Sequence, residues 1–126
     1  MVSAWSQRPD TSVPVLAIRD NPDFGEAPVA CVSEDPESAA MRCAKNESDV
    51  LFDDGKAAAV AQDPNATLID LTPYYCTADG MCPAVIGNVV VYRDAHHLTR
   101  TYATTVGPYL ADKLAAALGD SSKGNA

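Results

Sequence analysis

Asp94 and His97 stand three residues apart in the segment YRDAHHLT, positions 92–99. At that spacing a carboxylate reaches an imidazole across one turn of chain and accepts its proton-bearing nitrogen. The other ring nitrogen is then left to take a proton from a hydroxyl nucleophile, the base half of acyl-transfer chemistry. A bare D-x-x-H is common on protein surfaces, so its setting has to carry the argument. His96 reads as a solvated neighbour of His97. Asp94, His96 and His97 are metal-ligating types, but no fourth ligand accompanies them, and neither a metal nor a cofactor is expected. Asp20 ends an apolar run, where α/β sheets place ligand-binding groups; it reads more simply as a turn former and stays outside the candidate site.

Strands and turns must hold this pair. Residues 13–18 form a short β-branched run ending at Asp20-Asn21-Pro22, read as a buried strand and a turn. Residues 21–36, with Pro22, Gly25, Pro28 and Pro36, read as irregular loop. Ser33 or Asp35 is placed to cap a helix over 36–45. A second helix is expected from Ser48 or Asp49 to about Gln62, weakened by Gly55. Residues 67–71 are the second strand. Gly87-Asn88 separates Ala84-Val85-Ile86 from the 89–92 run as a β-hairpin. A long helix then opens at His97-Leu98-Thr99, with Leu98, Tyr102, Val106, Leu110, Leu114 and Leu118 as one apolar stripe. Gly107-Pro108 predicts a kink or a restart within it. The class is α/β: a partial three-layer sandwich around a short parallel sheet, with a β-hairpin and a long C-terminal helix. Residues 1–118 are expected to form the folded portion and 119–126 a flexible tail.

The block at 92–99, preceded by Cys76 and Cys82-Pro83, resembles the last block of an SGNH (GDSL-like) hydrolase domain. It is similar more narrowly to the SGNH domain fused to bacterial acyltransferase-3 membrane proteins, which O-acylate cell-surface polysaccharides. Upstream, Val13-Pro14-Val15-Leu16-Ala17-Ile18-Arg19-Asp20-Asn21-Pro22 resembles that family's hydrophobic strand ending in an Asp and a Pro. Cys31 falls where the family often carries a cysteine. The similarity covers about positions 13–110, strongest at the end.

The resemblance implies a serine nucleophile in a Gly-Asp-Ser block and an oxyanion hole built from a Gly and an Asn, all preceding the 13–18 strand. Only twelve residues do so, and the chain reads as the C-terminal portion of such a domain. Gly119-Asp120-Ser121 does occur, but after a helix and among Ser, Lys, Gly and Asn. A nucleophile elbow needs a strand before it and a helix after it, so this tripeptide reads as chance.

Four cysteines, Cys31, Cys43, Cys76 and Cys82, fit neither a zinc knuckle nor a redox C-x-x-C. Three pairings exist; the two local ones, Cys31 with Cys43 and Cys76 with Cys82, are favoured because each staples a polar loop. Such loops gain roughly 2–3 kcal/mol apiece in chain-entropy terms. Disulfides imply an oxidising, extracytoplasmic setting, periplasm or cell surface. The formal charge of −8 argues against nucleic acid, because no basic patch exists to displace counterions from phosphates. No apolar run approaches the ~18 residues needed to span a bilayer, so no direct membrane insertion by this segment is expected.

Two functions remain from different classes. The first is a serine-dependent acyl-transfer or ester-hydrolysis domain acting on O-acyl groups of surface polysaccharide or another acylated sugar. His97 would be the base, Asp94 its orienter, and the membrane acyltransferase portion of a parent chain the tether and partner. The second is a non-catalytic secreted or cell-surface module that binds through disulfide-braced loops.

Overall fold

The computed structural model describes the backbone of residues 1–123 and the side chains of residues 1–119. In chain order the elements are α1 (Val2–Ser6), β1 (Val15–Ile18), α2 (Val29–Glu34), α3 (Ala39–Arg42), β2 (Lys45–Asn46), α4 (Glu47–Val50) and α5 (Lys56–Ala61). There follow β3 (Ala66–Ile69), a 3₁₀ turn at Thr72–Tyr74, β4 (Met81–Cys82), β5 (Val85–Ile86), β6 (Val89–Val90) and α6 (Arg100–Lys123). The class is mixed α/β, with a short parallel sheet, small antiparallel pairs and a long last helix. The chain forms two compact units from interleaved segments: Met1–Arg19 with Asp53–Leu71 and the chain from Pro108, and Asp20–Phe52 with Thr72–Gly107.

In the first unit β1 and β3 pair in parallel, Val15 opposite Ala66 and Ile18 opposite Ile69. Parallel strands need a crossover, and α5 lies within the one between them. Ala17, Ala59 and Ile69, one from each of these elements, are buried. Arg8 ties the N-terminal segment down, donating to the carbonyls of Trp5, Thr11 and Val13 and pairing with Asp63 at 3.0 Å.

The second unit holds most of the core, including Phe24, Val32, Ala39, Val50, Tyr75, Ala84, Val91, Tyr92, Tyr102 and Val106. Cys31 is bonded to Cys43 and Cys76 to Cys82, with Cα separations of 6.0 and 4.0 Å. Both bridges converge on the antiparallel pair β2–β4, where Lys45 lies opposite Cys82 and Cys43 enters just before the pair. β5 and β6 form the expected hairpin, Val85 opposite Val90. Its turn has φ of +58° at Gly87 and +63° at Asn88, two consecutive left-handed residues that match the twist of a two-residue hairpin.

Several local expectations are corrected. The loop expected over 21–36 contains α2, and the helix expected over 36–45 is the single turn α3. The helix expected from 48 to about 62 is divided into α4 and α5. α4 ends where Leu51 turns extended, and Gly55, at φ +77° in a left-handed conformation outside any α-helix, stands immediately before α5, so one helix cannot run through both. The last helix begins at Arg100, not at 97–99. Thr99 explains the start: its hydroxyl donates to the Val90 carbonyl at 2.6 Å and accepts the N–H of Tyr102 at 3.2 Å, an N-cap anchored to the hairpin.

α6 runs through Pro108 without a restart. Proline there withholds the N–H that the Thr104 carbonyl would accept. The apolar stripe is buried at Tyr102 and Val106, yet Leu118 is 45 % exposed. A strict four-residue repeat advances about 40° per step around a 3.6-residue helix, so the stripe winds off the packed face. Of the tail, residues 124–126 lie outside the described residues, as do the side chains of Asp120 and Ser121. The helix reaches Lys123, so the backbone at Gly119-Asp120-Ser121 is not a strand-to-helix elbow.

Candidate active site: a carboxylate–imidazole pair on a pinned loop

The candidate residues sit on the loop between β6 and α6. Tyr92 and Leu98 close it as an isolated antiparallel bridge. Inside that closure the Arg93 N–H donates to the His97 carbonyl at 2.9 Å, and just outside it the Thr99 N–H donates to the Val91 carbonyl at 2.8 Å. The short span from Asp94 to His97 must therefore reverse direction. Asp94 does this with its side chain: Oδ1 accepts the N–H of His96 at 3.0 Å and that of His97 at 2.7 Å. Side-chain capture of N–H groups two and three residues on is a habit of aspartate in turns.

The second carboxylate oxygen does different work. Asp94 Oδ2 lies 2.8 Å from Nδ1 of His97. An ionised carboxylate only accepts, so Nδ1 must carry the hydrogen and Nε2 keeps its lone pair while the ring is neutral. The Asp94 carboxyl is held well below the usual carboxylate range, first by the His97 N–H, then by the His96 N–H, with the His97 ring adding to them. It is thus an anion at any ordinary pH. The side chains of Asp94 and His97 are 45 % and 55 % exposed, so the pair faces solvent rather than a closed cavity.

The loop is fastened from below by residues 21–24. The Asn21 amide donates to the His96 carbonyl at 2.7 Å, and the Phe24 N–H to the Ala95 carbonyl at 2.7 Å. Phe24 packs its ring on Tyr92 at 4.6 Å between centroids. Tyr92 is fully buried; among the described residues its hydroxyl is a buried polar atom with no hydrogen-bond partner. Burial pushes its phenol pKa up, with Tyr75 and Tyr102 adding to the effect. Sequence reasoning missed Asn21 and Phe24 as supports. The Asp20-Asn21-Pro22 turn was a visible signal, but nothing in its spacing pointed to positions 95 and 96, more than seventy residues away.

Phe24 also walls an open cleft of about 410 Å³, lined with Asp23, Lys45, Asp49 and the 62 % exposed ring of Phe52. Beside it lies a smaller cavity of about 210 Å³ against the Cys31–Cys43 bridge. Arg42 cross-links the flank of that cavity, donating to the Cys31 carbonyl at 2.6 Å and to the Asp35 carbonyl at 3.0 Å. Lys45 donates to the Phe24 carbonyl at 2.8 Å.

Compared with known families, residues 6–112 match the model described as SGNH domain (fused to AT3 domains). No curated protein and no solved structure matches the chain. Among the described residues no helix is long and apolar enough to cross a membrane.

Proposed function

This chain belongs to the SGNH domain family that occurs fused to AT3 domains, and on that premise we propose that it supplies the Asp–His pair of a serine-dependent acyl-transfer or ester-hydrolysis domain. His97 Nε2 takes the proton of a serine hydroxyl as that oxygen attacks an ester or thioester carbonyl. The same proton then passes to the leaving group as the acyl-serine forms. Asp94 fixes the ring and favours the imidazolium that appears between those steps. The substrate class is an O-acylated sugar of the cell surface. The serine and its oxyanion donors come from elsewhere in the parent polypeptide, and the AT3 portion is the membrane-bound partner. Two disulfides support an extracytoplasmic site of action.

The 2.8 Å contact between Asp94 Oδ2 and His97 Nδ1 is the observation on which this reading rests. Its test is made in the parent protein, reading acyl groups on the surface polysaccharide by mass. His97→Ala should lower transfer by at least about ten-thousandfold, since losing a triad base costs no less than losing its orienter. Undiminished acylation would overturn the assignment. A second reading, a non-catalytic binding module, draws support from the open cleft beside Phe52. Sugar binding with no acyl transfer by the parent would favour it.

A further inference from the structure

Asp94, His96 and His97 each offer one ligand atom, and these atoms all lie within 4.8 Å of one another. The two imidazole rings stand 4.2 Å apart between centroids and are tilted by 37°. We infer that these three side chains form a site for one divalent transition-metal ion of the zinc and copper class. A tetrahedral ion with ligands at 2.0–2.1 Å needs donor atoms about 3.3 Å apart. Both rings are exposed, so small rotations about their side-chain bonds close the remaining gap.

The backbone beneath needs no such change. The Asn21 amide holds the His96 carbonyl, and Asp94 Oδ1 holds both histidine N–H groups. Two imidazoles and one carboxylate, with water in the fourth position, suit borderline ions and not magnesium or calcium, which prefer all-oxygen shells. A formal charge of −8 on the chain raises the local concentration of any cation. Arg93, with Nε 4.0 Å from Asp94 Oδ2, is the competing charge; its side chain is 68 % exposed and free to swing aside.

Such an ion shares His97 with the proposed base. Bound at Nδ1, it displaces the ring proton to water and breaks the contact with Asp94. Bound at Nε2, it occupies the lone pair that would receive the serine proton. Either arrangement switches the base off, so the ion is an inhibitor of acyl transfer. That consequence rests on the proposed function; the binding itself does not.

The experiment reads binding directly. The chain is titrated with zinc chloride by calorimetry, and its imidazole resonances are followed by NMR, a simple spectrum because the chain has two histidines. One ion per chain, with both rings shifted and no shift from magnesium, is expected. His96→Ala should weaken zinc by at least about tenfold, as loss of a ligand must exceed loss of an outer-shell partner. The same variant should keep the Asp94–His97 contact, seen in the His97 ring nitrogens. Undisturbed rings in excess zinc, or equal affinity in His96→Ala, would overturn the site. Neither result bears on His97→Ala in the parent, so the two ideas fail separately.

Discussion

The Phe24 N–H and the Ala95 carbonyl, 2.7 Å apart, join segments more than seventy residues distant in sequence, and the candidate dyad hangs from that join. Phe24 adds its ring to the same contact by packing on Tyr92, the residue that closes the loop below Asp94. The position of His97 thus depends on a buried aromatic pair as well as on its own aspartate.

Phe24→Ala should therefore damage both stability and site. Truncating a buried phenylalanine costs about 3–5 kcal/mol, and this one is 4 % exposed. Denaturant unfolding should show that loss. Amide exchange should quicken in residues 92–98 first. A loss below about 1 kcal/mol would mean that the Phe24–Tyr92 pair carries little of the core.

Several features of this arrangement were legible in the sequence and others were not, for physical reasons. Gly87-Asn88 between two β-branched runs announced a hairpin because few other residues tolerate two consecutive positive φ values. The class followed from alternating strand and helix patterns. The division of one expected helix into α4 and α5 is half-legible: Gly55 marks a weak point, but the extended Leu51 that ends α4 and the left-handed φ of Gly55 depend on context no propensity contains. The start of α6 was misread because Leu98 fits the apolar repeat, whereas Thr99 caps by reaching a carbonyl on β6. Asn21 and Phe24 were missed outright: long-range backbone pairing leaves no local signature.

The disulfides should be complete and local. Thiol titration of unreduced, denatured protein should find no free cysteine, and peptide mapping should join Cys31 to Cys43 and Cys76 to Cys82. Replacing Cys76 and Cys82 together with serine should destabilise by roughly 2–3 kcal/mol on chain-entropy grounds. Crossed peptides would contradict the convergence of both bridges on β2–β4.

Acid should weaken the first unit through Asp63. Its carboxyl is held below the usual carboxylate range, chiefly by the hydrogen bond from Arg8 and then by the N–H of Asn65. Stabilisation of this kind is complete above the unfolded value of about 3.9 and is lost as pH falls through the depressed folded value. Unfolding midpoints of the wild type and Arg8→Ala should differ by a constant amount above about pH 5, and the gap should narrow below about pH 3.9 as the Asp63 share is lost. A gap that stays constant into acid would show that Arg8 acts through its three carbonyl contacts instead, since those do not titrate.

The C-terminal Gly119-Asp120-Ser121 should be inert. With α6 continuing to Lys123, its backbone lacks the strand-to-helix turn that exposes a nucleophile. The isolated chain should turn over an activated acetyl ester no faster than its Ser121→Ala variant. Turnover abolished by that substitution would rescue the tripeptide as a nucleophile.

Asp94→Asn separates the two tasks of one carboxylate. Asparagine keeps an oxygen in place of Oδ1, so it still accepts the N–H groups of His96 and His97, and the turn should survive. In place of Oδ2 it presents an amide nitrogen, which only donates. His97 Nδ1 must then accept, and the ring hydrogen moves to Nε2, the atom required as the base. Ring ¹⁵N NMR should show an Nδ1–H tautomer in the wild type and an Nε2–H tautomer in the variant, with folding stability changed by less than about 1 kcal/mol. Acyl transfer by the parent should fall by about ten-thousandfold, the scale of a wrong tautomer in a serine triad. An unchanged tautomer would mean that the 2.8 Å contact does not set the state of the ring, and Asp94 would be left with its turn-forming role alone.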